Sequence, residues 1–562
     1  MPGLFGYTKS KYFGDVNIVS EMKQLATHYS FHIADTCFND KNIVAARVHT
    51  NTIQKGKQPH VGTGVYVWLD GEFYNQSILT RNLEHANDVA LLLQLYLNDK
   101  SFEFLKKIDG VFAAVIYDSD TEKLHLISDR HGLKQLFWTC YKGSFFWFSE
   151  IKAVLTIPGY PLIMDKTAIE TFIEKEYLAQ DSTWFKDVFL LNPATILTWD
   201  LPTKCITQQK YWDWDDVPPV FGDVDEYEML SSLDSLFSSA VERRVKNNER
   251  NGITLSGGLD SRALLAAIPS TIDPVCVTFG KKQCDDIRIA RMVAKQKNYK
   301  HFIYELNGEN WIRSCFRATW ITDGQMSFTD MHGAVFAFDY RQHFEINLNG
   351  FLGDAFLGGA YFHNVLSTPL DRYLNRGRRR IYMGVKYLDN IVHNRLPFMD
   401  NDLMDFILSH IHRIQTKPGF IYHKMLLQQY PDYYKKIPWQ TTGLPIGTPA
   451  ARLFLERIKN KLGRELPFLS LLNKNKDYND YPLWGSIEPA RSIFINFLTN
   501  ADSLYQNYLN RSVVLAELNR FLTKEDISFR IINYLSKVLT VEVWLQQFYN
   551  NKHRAGLEMG EN

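Results

Sequence analysis

The first 200 residues alternate short apolar runs with turn-forming residues. Alternating or wholly apolar runs occupy 64–68, 110–117, 124–127 and 145–148. This pattern is typical of β-strands that bury at least one face. Between them, the apolar residues of 88–97 recur at helical spacing, namely Leu91, Leu92, Leu95 and Tyr96. Strands with a few helices predict an α+β layered sandwich over residues 1–215.

The second half of the chain alternates strand and helix patterns. A segment at 212–225, rich in aspartate and proline, separates the halves. Asp225, with Glu228 three residues later, predicts a helix N-terminus. Beyond it the pattern predicts strands at 274–279, 301–306 and 344–348 and a helix at 286–297. Such alternation predicts an α/β doubly wound parallel sheet over residues 216–562.

One stretch joins an apolar run, a glycine turn and a helical pattern: residues 252–269 read GITLSGGLDSRALLAAIP. Gly257 and Gly258 would let the backbone approach an anion, and a helix beginning near Ser261 would direct free amides at the same point. Asp260 would then hold a divalent cation. An ordinary strand-to-helix turn uses the same residue types. The complete six-residue string favours the phosphate site.

Composition narrows the function classes. A chain of 562 residues with 45% hydrophobic and 14% aromatic residues can form two sizeable cores. A formal charge of +1 gives no argument for nucleic acid or an anionic membrane as partner. The six cysteines lack CxxC spacing, and neither a signal-peptide core nor a run of membrane-spanning length is visible. We therefore expect a cytoplasmic protein, with a homo-oligomer as one open assembly state.

The Ser-Gly-Gly-Leu-Asp-Ser string resembles the pyrophosphate loop of ATP pyrophosphatases in the asparagine synthetase family, and the glycine-rich loop 349–359 is similar to that family's GEGSDE-type loop. The resemblance implies cofactors ATP and Mg²⁺, cleavage of ATP between its α and β phosphates, and an adenylated carboxylate. It implies magnesium ligands Asp260 and Asp354. It implies nucleotide contacts from Leu255, Ser256, Gly257, Gly258, Asp260, Ser261, Phe279 and Gly350.

The N-terminal half resembles the glutaminase domain of the same family, which has an N-terminal nucleophile hydrolase fold. The matches occur in order at 70–75, 108–119, 129–134 and 148–153. That domain uses an N-terminal cysteine as nucleophile, whereas position 2 is Pro2. The family's substrate segment RGPD is replaced by residues 47–50, Arg-Val-His-Thr. We therefore expect glutamine hydrolysis to be absent and the domain to be a structural or docking element.

Three positions of the synthetase half also depart from the family pattern. Phe351 stands at the place of a family Glu, and Thr442 at the place of a catalytic Lys. His393 replaces the acidic residue before the Arg-x-Pro-Phe segment, and it is a candidate base because the unperturbed pKa of histidine is about 6.5. Lys435 and Lys436 are candidate substitutes for the missing lysine, although a solvated face would look the same.

Two further segments allow two interpretations each. The basic run at 376–380 fits a solvated helix face or a docking site for an acidic substrate or leader segment. The apolar pattern at 531–548 predicts an amphipathic helix covering the synthetase sheet, and a core helix would show the same pattern.

The resemblance implies an ATP-dependent ligase that adenylates a small-molecule or peptide carboxylate for attack by an amine not supplied by its own glutaminase domain. The relatives with a degenerate first domain, β-lactam synthetases and lasso-peptide cyclases, use an amine of the same substrate. Asparagine synthesis from ammonia is the alternative within the enzyme class. A non-catalytic ATP-binding scaffold is the competing class, because Pro2, Phe351 and Thr442 would also mark a decayed enzyme.

Overall fold

A computed structural model describes residues 2–554 apart from 15–16, 80–86, 223–224, 363–366, 456–457 and 459–476. Its strands, numbered along the chain, are β1 Gly3–Thr8, β2 Ile33–Ala34, β3 Phe38–Asn39, β4 Ile43–His49, β5 His60–Val61, β6 Val65–Phe73, β7 Gly110–Asp118, β8 Lys123–Ser128, β9 Phe137–Tyr141, β10 Ser144–Phe148, β11 Phe189–Leu190, β12 Thr195–Asp200, β13 Cys205–Lys210, β14 Asn251–Thr254, β15 Val275–Gly280, β16 His301–Glu305, β17 Ile346–Leu348 and β18 His393–Arg395.

The α-helices span Asn17–Ala26, Gln76–Leu79, Asp88–Asn98, Lys166–Lys175, Glu226–Glu242, Asp260–Ala267, Asp285–Lys295, Cys315–Ile321, Ala337–His343, Gly353–Phe356, Pro369–Arg372, Tyr382–Leu388, Asn401–Ser409, Ile411–Thr416, Phe420–Gln429, Pro431–Tyr434, Tyr481–Gly485, Ala490–Leu498, Arg511–Leu522 and Phe529–Asn550. A π-helical segment spans Tyr373–Ile381. Short 3-10 helices span Glu103–Lys107, Ile151–Thr156, Trp214–Asp216, Phe328–Asp330, Ala334–Phe336, Pro397–Met399 and Leu504–Asn507. Among these helices, none is long and apolar enough to cross a membrane.

Two antiparallel sheets form the N-terminal half. Their strand orders are β11-β9-β10-β1-β4-β2, with β3 also paired to β4, and β13-β12-β8-β7-β6-β5. One hydrophobic cluster contains side chains from both sheets, including Leu4, Trp68, Val115 and Trp147. Helices Asn17–Ala26 and Asp88–Asn98 bury apolar faces in the two neighbouring clusters. This half therefore consists of antiparallel sheets with helices packed against them, in agreement with the predicted α+β fold class.

The second half contains a parallel five-stranded sheet of order β16-β15-β14-β17-β18. The chain starts at the central strand β14, moves outward through β15 and β16, and then crosses to β17 and β18. The direction of progression therefore reverses between β14 and β17, as expected of a doubly wound sheet. The helix before β14 begins where expected, since the side chain of Asp225 accepts a hydrogen bond from the amide of Glu228 at 3.0 Å.

The C-terminal helix Phe529–Asn550 is a core helix, and its prediction as an amphipathic covering helix is wrong. Trp544 stacks on Trp184 of the N-terminal half with ring centroids 5.0 Å apart. On other faces, Thr540 accepts a hydrogen bond from the amide of Phe328 and Glu542 accepts one from the amide of Tyr505. Both halves pack against this helix, so that polar residues in its middle, among them Ser536, Thr540 and Glu542, are also buried.

Arg378 and Arg379 of the basic run 376–380 are also buried, so the interpretation of this run as a solvated helix face is wrong for these two residues. Arg378 donates hydrogen bonds to the carbonyl oxygens of Gly132 and Leu191, both in the N-terminal half. Arg379 donates to the carbonyl oxygen of Gln180 and to Oε1 of Gln325. These guanidinium groups join the two halves by satisfying buried carbonyl groups.

Candidate active site

Two loops meet at the carboxyl edge of the parallel sheet. The Ser-Gly-Gly-Leu-Asp-Ser loop follows β14 and leads into helix Asp260–Ala267, and the second glycine-rich loop follows β17 and leads into helix Gly353–Phe356. Since β14 and β17 are adjacent and parallel, both loops leave the same edge. Ligands of such sheets bind where the strand order reverses, which is between these loops.

The two predicted metal ligands are in direct contact. The backbone amide of Asp354 donates a hydrogen bond to Oδ2 of Asp260 at 2.8 Å, and the Tyr422 hydroxyl donates to Oδ1 at 3.0 Å. Glycine permits this approach: a Cβ on Gly353 would lie 2.5 Å from Cγ of Asp260, and one on Gly350 would lie 3.0 Å from its Cβ. A larger residue at either position would displace the carboxylate.

The electrostatics of the pair favour a bound cation. Burial raises the pKa of Asp260 to about 7, and the charge of Asp354 adds to the rise, while the bonds from the Asp354 amide and Tyr422 oppose it. Partial burial also raises the pKa of Asp354, against the opposing charge of His423. Within the described ranges, neither carboxylate forms an ion pair with a lysine or arginine. The two groups therefore stand close together without a compensating charge.

This arrangement fits Mg²⁺ bound together with a nucleotide. Magnesium prefers oxygen ligands and commonly uses one or two carboxylates plus substrate phosphates and water. Asp260 and Asp354 would be the two carboxylates. No group of three or more metal-ligating side chains occurs in the described part of the chain. The remaining ligands would therefore come from phosphate oxygens and water.

The backbone amides of Gly257 and Gly258 in the first loop form hydrogen bonds within the protein, which the sequence motif alone does not show. The Gly257 amide donates to Oδ1 of Asp286 at 3.0 Å, and the Gly258 amide donates to Oγ of Ser256 at 3.2 Å. Oγ of Ser261 in turn accepts from the Ser256 amide at 3.1 Å. Since these bonds hold the loop itself, the amides available to an anion are those in the first turn of helix Asp260–Ala267.

A cleft of about 500 Å³, here called the nucleotide cleft, opens beside these loops. This volume lies in the usual range for small-molecule sites. Its lining residues are Thr254, Ser256, Gly258, Leu259, Asp260, Ser261, Asn349, Gly350, Phe351, Leu352, Asp354, Ile381, Gly384, Val385, Trp439, Gln440 and Thr441. Most of the predicted nucleotide contacts and both predicted metal ligands therefore border one space. Leu255 is buried behind the loop, the Gly257 amide bonds Asp286, and Phe279 lies near the end of β15. None of these three predicted contacts lines the cleft.

The three candidate catalytic residues lie elsewhere. His393 is the first residue of β18 and pairs in register with Ile346, so it lies at the opposite end of the strand from the loops. Its Nε2 contacts Oε1 of Glu72 in the N-terminal half at 2.8 Å. Lys435 and Lys436 are exposed and do not line the nucleotide cleft. The structure therefore does not bring these three side chains to the aspartate pair.

Three residues outside both loops support the site without having been predicted. Tyr422 and Asp286 contact the loops as described, and Gln440 donates to Oδ2 of Asp286 at 2.8 Å. Nothing in their local patterns points to this, because each reaches the site through tertiary packing.

Arg262, which directly follows the loop, also supports the site. It is fully buried and donates to the carbonyl oxygens of Gly257 and Pro438. A positive charge in the first turn of a helix interacts unfavourably with the helix dipole. An arginine at this position in the sequence therefore indicates that it has another role, such as supporting the loop.

The pocket that corresponds to the glutaminase site is almost filled. A space of about 20 Å³ remains between Pro2, Arg47, Asp70, Lys134 and other residues, and no cysteine is among its described lining residues. Arg47 donates to Oδ2 of Asp35 and to the carbonyl oxygens of Gln54 and Gly56. A space of this size holds about one water molecule and leaves no room for glutamine.

Comparisons with known protein families match each half of the chain to a different family. A glutamine amidotransferase domain family matches residues 1–212, and the asparagine synthase family matches residues 232–385. The chain belongs to the asparagine synthetase superfamily.

Among curated proteins, this superfamily member is 24% identical over 330 residues to asparagine synthetase [glutamine-hydrolyzing] 2 of Bacillus subtilis, covering 54% of this chain and 44% of that protein. It is 29% identical over 227 residues to asparagine synthetase 3 of the same organism, covering 38% and 36%. It is 24% identical over 421 residues to the asparagine synthetase of Homo sapiens, covering 68% and 73%.

Proposed function

We propose that this chain is an ATP-dependent, AMP-forming ligase that joins a substrate carboxylate to an amine not released from glutamine by its own N-terminal half. The single observation that carries the proposal is the contact between Asp354 and Asp260 at the point where the strand order reverses. That arrangement suits a magnesium nucleotide, and the asparagine synthase family match supports ligase chemistry.

The proposed reaction has two steps. A carboxylate oxygen of the substrate attacks the α-phosphorus of ATP, the bond from that phosphorus to the bridging oxygen breaks, and pyrophosphate leaves. An amine then attacks the acyl carbon, and AMP leaves with the bonding electron pair. When bound, Mg²⁺ supplies positive charge beside the leaving pyrophosphate. Asp260 and Asp354 would hold it, and the first turn of helix Asp260–Ala267 would bind phosphate oxygens.

The filled N-terminal pocket supports an external amine. Glutamine cannot enter a space of about 20 Å³, and the pocket presents Pro2 rather than a thiol. The amine would be ammonia or a group of the substrate itself. Asparagine synthesis from ammonia is the second candidate, favoured by the names of the curated relatives.

Product analysis tests the proposal. Purified protein is incubated with ATP, Mg²⁺, ammonium and a panel of carboxylic acids that includes aspartate, and nucleotides are separated by chromatography. We expect AMP and pyrophosphate with at least one acid, and no glutamate when glutamine replaces ammonium. ADP and phosphate as products, or ATP binding without any acid-stimulated turnover, would exclude the ligase and favour a scaffold. Glutamate formation would refute the external amine.

A further inference from the structure

A second lobe adjoins the nucleotide cleft at the aspartate pair. It encloses about 380 Å³ and shares Asp260, Leu352, Asp354 and Ile381 with that cleft. Its other lining residues are Ala355, Ala360, Tyr361, Arg372 and Arg376. A molecule in this second lobe would therefore lie beside the position where ATP phosphates are proposed to bind.

The second lobe differs from the nucleotide cleft in charge. The described lining of the nucleotide cleft includes neither lysine nor arginine, whereas the second lobe has Arg372 and Arg376. Arg372 already donates to the carbonyl oxygen of Tyr361 at 2.5 Å and to the carbonyl and hydroxyl oxygens of Ser367 at 3.0 and 2.9 Å. Arg376 is exposed and forms no ion pair within the described ranges. Arg376 therefore presents an uncommitted positive charge to the lobe.

The backbone that carries Arg376 is firmly held. Arg376 lies in the π-helical segment Tyr373–Ile381, whose next residues include the buried Arg378 and Arg379. A Cβ on Gly377 would lie 3.2 Å from the Tyr361 hydroxyl, so the segment packs directly on another wall of the lobe. That hydroxyl is buried and has no hydrogen-bond partner among the described residues.

The proposed reaction indicates what this charge can bind. A guanidinium that bound the attacking carboxylate would stabilise the substrate before the reaction. The carboxylate loses its negative charge when it bonds to phosphorus, so the same contact would not stabilise the transition state equally well. A fixed cation is therefore more useful on an anionic group that does not react. Arg376 and the aspartate pair line the same lobe, so one molecule in the lobe can contact both.

We propose that the second lobe binds a carboxylic acid that carries a further, non-reacting anionic group, and that Arg376 determines specificity for that group. The inference rests on the proposed function for the identity of the reacting end. It adds the requirement for a second anionic group on the substrate and names the residue that binds this group.

Isothermal titration tests this with dicarboxylic acids from succinate to suberate and with the monoamide of each. The full chain is used, saturated with Mg²⁺ and a non-hydrolysable ATP analogue. At least one diacid of the series should bind about tenfold or more tightly than its monoamide, as expected of one charge-assisted contact. Arg376→Gln should abolish that difference, Arg376→Lys should keep part of it, and Arg291→Gln, which removes an exposed helical arginine outside the lobe, should preserve it.

Equal affinity for diacids and monoamides, no binding of any diacid, or unchanged affinity in Arg376→Gln would overturn the inference. Pyrophosphate release is measured in parallel to separate it from the proposed function. If diacids bind through Arg376 but no pyrophosphate is released, the binding of an anionic group by Arg376 is supported and the ligase activity is refuted. If monoacids and diacids both cause pyrophosphate release and Arg376→Gln does not change it, the ligase activity is supported and the role of Arg376 is refuted.

Discussion

The backbone amide of Asp354 donates a hydrogen bond to Oδ2 of Asp260 across 94 positions of sequence, at 2.8 Å. This bond brings the two glycine-rich loops into one site. Because it forms between a main-chain donor and a side-chain carboxylate, it depends on how closely the loop 349–359 approaches Asp260. The glycines of that loop determine the approach.

Gly353→Ala should therefore abolish most ligase activity. Its methyl group would lie 2.5 Å from Cγ of Asp260 and would displace the carboxylate, and a misplacement of about 1 Å can cost about 100-fold in rate. Gly384→Ala is the matched control, because Gly384 lines the same cleft and its Cβ would meet no heavy atom within 4 Å. Gly384→Ala should retain activity and gain about 0.5 to 1 kcal/mol in free energy of unfolding, since alanine favours the helix. Equal rates for the two variants would refute this account of the loop.

Tyr422→Phe should make Mg²⁺-dependent ATP binding more sensitive to pH. The Tyr422 hydroxyl stabilises the ionised form of Asp260, whose pKa burial raises to about 7. Loss of that bond raises the pKa further, so at pH 7 less carboxylate is ionised and affinity should fall by about tenfold, recovering near pH 9. Titration calorimetry across this range measures the shift.

Tyr433→Phe is the control for that experiment. The Tyr433 hydroxyl is buried and has no hydrogen-bond partner in the described portion of the chain. Its removal should leave the pH profile unchanged. If the Tyr422 variant showed the same profile as this control, the proposed effect on Asp260 would be wrong.

Glu72→Gln should destabilise the fold rather than alter nucleotide binding. Burial would raise the pKa of Glu72, but the charges of Arg395 and His393 outweigh burial and hold it well below its usual value. Removal of the carboxylate takes away two hydrogen bonds of Arg395 and the partner of His393 Nε2, while Arg395 keeps its ion pair with Glu249, so the free energy of unfolding should fall by about 1 to 3 kcal/mol at neutral pH. The exposed pair Glu103 and Lys106 offers a control, and Glu103→Gln should cost under about 1 kcal/mol.

The effect of Glu72 has a defined pH dependence. Its pKa is lower in the folded than in the unfolded chain, so its stabilisation is complete above the unfolded value of about 4.3 and is lost as pH falls through the folded value. Urea denaturation at pH 7 and pH 3 should show the difference between wild type and Glu72→Gln shrinking at the lower pH. A difference that grows on acidification would contradict the assignment.

The aspartate pair was predictable because position in a parallel sheet follows from chain order. Loops that follow adjacent parallel strands leave the same edge of the sheet, so the sequence alone predicts that Asp260 and Asp354 lie close together. His393 shows the limit of this reasoning. Its motif aligns with the family, but the register of β18 places it at the start of the strand, against Glu72.

Residues that contact the site through tertiary packing could not be predicted. Tyr422 lies 162 positions from Asp260, and Asp286 reaches Gly257 from a helix that follows another strand. Neither has a local pattern that differs from an ordinary helix. Likewise, the apolar pattern of the C-terminal helix fitted a covering helix and a core helix equally well, and the two are distinguished only by the packing of both halves of the chain around it, which buries Glu542.

The most direct test of the central claim is transfer of oxygen-18 from the substrate carboxylate to AMP. An acid that releases pyrophosphate is labelled at its carboxylate and incubated with ATP, Mg²⁺ and ammonium, and the AMP is analysed by mass spectrometry. Adenylation predicts one labelled oxygen in AMP, because the carboxylate oxygen that attacks phosphorus remains there when the amine displaces AMP. Unlabelled AMP, or label recovered in inorganic phosphate together with ADP, would contradict it.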